Sequence, residues 1–250
     1  MGQDLMITID PALRAAAPRL RLGVITGRVG AAAPAASSGN AAGNASGAPP
    51  GDSSGDRPGG ASAGALDAAV EREVARVTAE LELGEVAAAP EPAALRRAYR
   101  ALGRDPQRYR GSAEALLRRV LRGQGLYRIN PVVDVNNLVS LRSTCAVGTY
   151  DLDAVEGDVT FRPGGEESYQ AIGKGALKLA GLPVFADARG PFGSPTSDSE
   201  RTMIRPGTER IVMVVIAFAG GDPWPRWRDF AVAALREFAG GRDLETSLVT

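Results

Sequence analysis

Residues 209–219 read ERIVMVVIAFA, and no position from Ile211 to Ala219 is charged or polar. A strand this apolar on successive positions has no face to give to water. It is therefore expected at the centre of a sheet that is covered on both sides. The remainder of a 250-residue chain must then supply two layers around it. That length suffices for one large domain with a sizeable buried core.

Candidate neighbours are short and β-branched. Residues 5–9 (LMITI), 20–29 (LRLGVITGRV), DVTFR, SYQAI, LPVFAD and RTMI read as strands bounded by Gly and Pro. Pro11 to Ala17 accommodates one or two helical turns. Leu66, Val70, Val74, Val77 and Leu81 recur at helical spacing and predict a helix over 66–83. Pro92 opens a second helix. Ser112 is expected to cap a third, which Gly123 ends. Asn130–Pro131 has the composition of a cap and first turn for a fourth, running to about Ser140. A last helix is expected over 224–239. Helices mostly first and strands mostly later indicate an α+β fold.

From Ala31 to Gly64 the composition is almost wholly Ala, Gly, Ser, Pro and Asn, without one Val, Ile, Leu or aromatic residue. Such a stretch cannot bury enough apolar surface to offset its chain entropy, and a disordered loop insertion is expected. The resulting division is N-terminal strands over 1–30, the insertion over 31–64, the helices and sheets of one domain over 65–240, and a tail over 241–250.

Composition removes several chemistries. The chain has no His and one Cys, Cys145, so Ser-His-Asp and Cys-His mechanisms are excluded, and no disulfide framework or Cys/His metal site is possible. No phosphate-binding Gly-rich loop of the G-x-x-x-x-G-K-[ST] type occurs. Gly164–Gly165 ahead of Glu166–Glu167 reads as a turn with exposed acids. No cofactor and no metal are expected. No apolar run reaches the ~20 residues of a membrane span, and the start lacks the plan of a secretory signal, so a cytoplasmic protein without membrane or DNA partners is expected.

Net charge is zero, but it is unevenly spread. Between Leu95 and Arg128 there are ten Arg against Asp105 and Glu114. Arg96, Arg100 and Arg104 are spaced four apart, with Arg97 beside them and Arg118, Arg119 and Arg122 on the next helix. Tyr99, Tyr109 and Tyr127 are interleaved. Guanidinium forks suit phosphate, and tyrosine rings can stack on bases, so these residues form a candidate RNA-binding face. A solvated Arg-rich surface is the competing reading.

The densest polar segment is Asn130 to Asp153, INPVVDVNNLVSLRSTCAVGTYDLD, in which carboxylates and amides stand among Val and Leu. It is followed in order by GDVTFRPGGEESYQAIG, LPVFADARG and SERTMIRPGTERIVMV. Together these motifs resemble the B3/B4 domain of the bacterial phenylalanyl-tRNA synthetase β subunit, over roughly Arg108 to Phe218. The resemblance implies a B3/B4-like α/β sandwich with mixed sheets. In the synthetase that domain hydrolyses tyrosine wrongly attached to phenylalanine tRNA, and free-standing relatives are proposed to edit in trans or to bind tRNA.

Carried over by motif, the resemblance implies a site with Asn136, Asn137 and Thr208 positioning an ester. Asp134, Tyr150, Asp151, Asp187, Ser199 and Glu200 would surround the substrate, Glu200 as the acceptor for its side chain. Two departures stand out: Gly148 occupies the place of a synthetase His, and PFGSPTSD replaces a Gly-Gly ahead of the Ser-Glu pair. Three functions follow as expectations. The first is trans-editing hydrolysis of mischarged aminoacyl-tRNA, without aminoacylation and with the tRNA acceptor end as partner. The second is non-catalytic binding of tRNA, an amino acid or a nucleoside, and the third is an unrelated small-molecule activity on the same scaffold.

Overall fold

The computed structural model describes residues 5–30, 60–221 and 224–250, with side chains described from Gly64 within the first long helix. Most of the expected 31–64 insertion lies outside the described residues. Its last five do not belong to it: Gly60 to Gly64 open a helix, Ala and Ser being adequate helix formers once a longer helix continues from them.

Elements follow in the order β1 (Ile7–Ile9), α1 (Pro11–Ala16), β2 (Arg21–Arg28), α2 (Gly60–Glu80), α3 (Pro90–Ala101), α4 (Ser112–Leu121), α5 (Pro131–Ser143) and β3 (Ala146–Asp151). Then come β4 (Val159–Pro163), β5 (Ser168–Ala171), β6 (Gly175–Lys178), β7 (Pro183–Asp187), β8 (Gly190–Gly193), β9 (Arg210–Ala217), α6 (Trp224–Ala239) and β10 (Arg242–Val249). Two short 3₁₀ turns, Leu152–Ala154 and Glu200–Thr202, punctuate the loops. One sheet has the order β10-β2-β9-β3 and is antiparallel. The other has the order β1-β4-β7-β8, with β1 parallel to β4 and the remaining pairs antiparallel. β5 and β6 form a separate hairpin. This is an α+β single domain with mixed sheets.

The apolar run becomes β9, an inner strand between β2 and β3. Its alternation is divided between two cores. Val212, Val214 and Ile216 pack with Leu22, Val24, Tyr150, Phe161, Phe185 and Phe192 in the core shared with the second sheet. Ile211, Met213 and Val215 pack with Ile25, Val135, Leu138, Leu235 and Phe238 under α5 and α6. The close approach of α6 to the sheet depends on Gly23, where an added Cβ would sit 2.0 Å from the Trp224 ring.

Four local expectations are corrected. RTMI is not a strand but the 3₁₀ turn Glu200–Thr202, because Ser199 caps the Arg201 amide and Arg201 is drawn onto Asp187. Ser112 is the first residue of α4 rather than its cap; Gly111 holds the cap position, and the Ser112 amide donates to the Pro195 carbonyl. The fourth helix runs three residues beyond Ser140, ending with Thr144 in the left-handed region at φ 59°. The 241–250 tail is strand β10, paired with β2 from Glu245 to Val249 past a register shift. Its polar, exposed sequence gave no burial signal, since an edge strand is held by its ladder. By contrast, Asn130 caps α5 as read, its side chain accepting from the Val133 amide at 3.0 Å.

Candidate functional site

Most of the candidate site residues gather where β3, β7 and the start of β9 end near the two 3₁₀ turns. Thr208 donates its hydroxyl to Asp151 Oδ2 at 2.8 Å and accepts the Arg205 amide at 3.0 Å. Arg205 in turn donates to the Glu200 carbonyl. Asp151 also caps the first 3₁₀ turn through the Asp153 amide. One turn further, Asp187, whose side chain is fully buried, is held bidentately by Arg201 at 2.9 Å and accepts the Glu156 and Arg189 amides. Burial alone would raise the Asp187 carboxyl; the Arg201 fork and the two amides hold it below the ordinary carboxylate range. With four donors, both Asp187 oxygens are committed, and the residue closes a turn instead of facing a ligand.

The α5 residues divide. Asp134 accepts the Ile129 amide and faces Arg128 at 3.4 Å, so it secures the entry to the helix. Burial, partly offset by these contacts, raises its carboxyl. Asn136 accepts the Thr149 hydroxyl at 2.9 Å, which ties α5 to β3. Asn137 is half-buried and makes no side-chain hydrogen bond among the described residues. The Glu200 carboxylate likewise has no partner there, and the Thr202 hydroxyl is buried without one. Ser199 is buried and committed to its cap.

Tyr150 is not a surface of this cluster. Its side chain faces the inter-sheet core, fully buried, edge-on to Phe192 at 5.0 Å and to Phe185 at 5.9 Å. Its hydroxyl lies between Gly148 and Gly193: a Cβ on Gly148 would meet it at 2.1 Å, and one on Gly193 at 2.3 Å. The missing side chain at 148 therefore has a physical reason, since it makes the space the Tyr150 hydroxyl occupies. That hydroxyl donates to Asp198 Oδ1 at 2.9 Å, which also accepts the Ser194 amide at 3.1 Å. Asp198 keeps part of its residue surface, but its carboxyl is turned inward, and burial pushes its pKa up to about 6.

The 194–198 loop is thus far from loose. Tyr150 reaches Asp198, the Tyr169 hydroxyl reaches the Ser197 carbonyl, and the Tyr99 and Thr196 hydroxyls share a bond, the last two at 2.6 Å. Ser194 Oγ accepts two amides of the loop and donates to Ser197. Sequence reading missed Asp198, Tyr169 and Arg201, and gave Tyr99 an exposed stacking role that its complete burial rules out. The one available signal was the pair of glycines, Gly148 and Gly193, at strand positions where Gly is disfavoured unless another group approaches closely.

The arginine face also separates. Arg96 grips buried Glu114 bidentately at 2.8 Å, Arg118 joins it at 2.9 Å, and Arg110 lies at 3.4 Å. Burial would raise the Glu114 carboxyl; Arg96 and Arg118 hold it below the ordinary range. Arg104 lies past the end of α3, over the Tyr109 ring at 4.2 Å, and donates to the Lys178 carbonyl. Arg119 covers Tyr127 and donates to the Gly125 and Gln124 carbonyls. Arg97, Arg100 and Arg122 remain exposed, without a partner among the described residues. Arg97 and Arg19 border an open groove of about 390 Å³ between α1 and α3, floored by Ala94, Ala98 and Phe218, and no carboxylate lines it. Its geometry is fixed by Glu91 at the start of α3, buried and accepting the Phe218 and Ala219 amides at 2.7 and 3.2 Å.

A search of curated proteins returned no match. Among solved structures, an N-terminal fragment of the phenylalanyl-tRNA synthetase β-subunit from Pyrococcus horikoshii is similar at 12% identity with a TM-score of 0.45. The alignment covers 100% of this chain and 55% of that one, so this chain spans about half that fragment's length. No helix among the described residues is long and apolar enough to cross a membrane. The sequence model of the B3/4 domain matches residues 94–222, slightly more than half of the chain, and the chain belongs to the B3/4 domain family.

Proposed function

We propose that this chain binds the acceptor end of tRNA without hydrolysing an aminoacyl ester. The observation that carries the reading is the open groove between α1 and α3, with Arg19 and Arg97 at its edge and no acid in its lining; Arg100, outside that lining, is exposed on α3 one turn from Arg97. Unpaired guanidiniums over an apolar floor suit a phosphodiester that leads into a ribose and base, where electrostatic contact and stacking both contribute. Family membership adds the tRNA-synthetase-related context.

The hydrolytic alternative is a trans-editing deacylase. It needs a positioned water, donors aimed at the developing oxyanion, and space for the amino-acid side chain. Of the candidate residues, Asn136, Thr208, Asp151 and Asp187 are engaged in internal hydrogen bonds, and the Tyr150 hydroxyl occupies the space beside Gly148. Glu200 and Asn137 are the two whose side chains have no partner among the described residues, and they are the observation in favour of this second reading.

Two assays on one preparation distinguish them. Filter binding of tRNA at low salt is expected to show saturable affinity that weakens steeply as salt rises. Deacylation of a panel of mischarged tRNAs under the same conditions is expected to match the buffer rate. Turnover above buffer that Glu200→Gln abolishes would establish the deacylase instead.

A further inference from the structure

On the other side of the central sheet, α2, α5 and α6 enclose an open cleft of about 350 Å³ lined by Arg76, Glu80, Arg142, Arg226, Trp227 and Phe230. It shares no residue with the α1/α3 groove and stands independently of the tRNA reading. Two of its arginines are already placed by the fold. Arg76 bonds Glu73 and Glu80 and donates to the Leu141 carbonyl. Arg142 pairs with Glu73 at 2.5 Å and stands over the Phe230 ring at 5.1 Å.

The third is uncommitted. Arg226 is exposed and makes no ion pair or hydrogen bond among the described residues. Neither does the indole N–H of the half-buried Trp227 beside it. Both residues belong to the first turn of α6. Against three guanidiniums stand Glu80 in the lining and Glu73 behind it, which leaves the cleft net positive. Its volume lies at the low end of the roughly 300–1,000 Å³ typical of small-molecule pockets, the size of a single nucleotide-like ligand.

We propose that this cleft binds a small anion joined to a planar ring, of the nucleoside monophosphate class. Arg226 takes the phosphate, as a guanidinium fork favours a dianion. The indole of Trp227 offers its face to the base and its N–H to a ring or ribose oxygen. The pairs Arg76–Glu80 and Arg142–Glu73 hold the cleft walls rigid and need not rearrange.

The test is titration of the full chain with adenosine 5′-monophosphate, followed by calorimetry and by tryptophan fluorescence, with adenosine and inorganic phosphate as separate arms. Saturable binding of the monophosphate is expected with a Kd below about 1 mM, each separate arm binding at least about tenfold more weakly. Arg226→Ala is expected to weaken binding about tenfold at an unchanged melting temperature, since its side chain supports no other group among the described residues. Glu80→Gln removes the one acid in the lining and is expected to tighten binding about threefold, a gain that a damaged fold cannot mimic. No saturable signal up to about 10 mM would overturn the proposal, that concentration lying well beyond any specific small-molecule site. Equal affinity for adenosine and its monophosphate, or an Arg226→Glu variant that binds as tightly as the unaltered protein, would overturn it as well.

Discussion

Two regions of this molecule are rich in polar residues, and they behave in opposite ways. Around Asp198, Asp187 and Thr208 the polar side chains are turned inward, each with two or more partners fixed by the fold, and the Tyr150 hydroxyl is one of those of Asp198. Along α1 and α3 the arginines that matter, Arg19, Arg97 and Arg100, are exposed and have none among the described residues. The first arrangement makes one structure specific, since a buried donor or acceptor that loses its partner costs far more than an exposed one. The second leaves charge available to something outside the chain. Polar density in a sequence therefore does not identify a site by itself; what decides is whether the fold has already spent the hydrogen bonds.

That contrast can be broken most severely at Gly148. Gly148→Ala puts a Cβ 2.1 Å from the Tyr150 hydroxyl and 2.6 Å from Cζ, in a ring wedged against Phe185 and Phe192. Neither ring nor strand can retreat cheaply. A loss of about 3 kcal/mol or more is expected, a fall in Tm on the order of 10 °C by calorimetry. A variant that melts with the unaltered protein would mean that Tyr150 is not held there. Tyr150→Phe keeps the ring and strips Asp198 of one donor, for an expected cost of about 1–3 kcal/mol in denaturant unfolding. Retention of tRNA affinity in both variants would sharpen the division between a structural interior and a binding surface.

Asp198→Asn separates charge from hydrogen bonding, since the amide oxygen can still accept from Tyr150 and Ser194. In the folded protein burial keeps the Asp198 proton on up to about pH 6, whereas the unfolded chain releases it near 3.8. Between those values the native state holds more protons than the unfolded one, so this residue's contribution to stability falls as pH rises. The unaltered protein and Asp198→Asn are expected to be equally stable near pH 4. Above pH 7 the variant is expected to be the more stable by about 2 kcal/mol, at roughly 1.4 kcal/mol per pKa unit with some loss to screening. Parallel stability profiles across that window would contradict the inward-facing carboxyl. The carboxyls of Asp187 and Glu114 are lowered and oppose this trend, which is why the difference between the two proteins, and not either profile alone, is the informative quantity.

Much of the fold was legible, because its signals are local. The Asn130–Pro131 cap, the helical spacing of Leu66 to Leu81 and the all-apolar β9 each depend on neighbours in sequence. The family was legible too, through four ordered motifs. The site was less so, because the partners that commit its residues are distant in the chain. Asp187 reads as a strand-end acid until Arg201 folds onto it, and Tyr150 reads as a motif aromatic until Asp198 arrives 48 positions later. Arg96 and Arg118 look like a phosphate-binding row until both turn on Glu114. β10 escaped notice for the converse reason: an edge strand needs no apolar pattern when a ladder to β2 holds it.

The smallest effect on stability is expected where the largest effect on function lies. Arg97→Ala with Arg100→Ala should change unfolding free energy by less than about 0.5 kcal/mol, since neither guanidinium has a partner to lose among the described residues. The most direct measurement is the salt dependence of tRNA binding by this double variant and by the unaltered chain. If each arginine meets one phosphate, removing both lowers the slope of log K against log salt by about 1.4–1.8 and weakens binding at low salt. An unchanged slope and affinity would show that tRNA, if bound at all, is held elsewhere, and would contradict the α1/α3 groove as its seat.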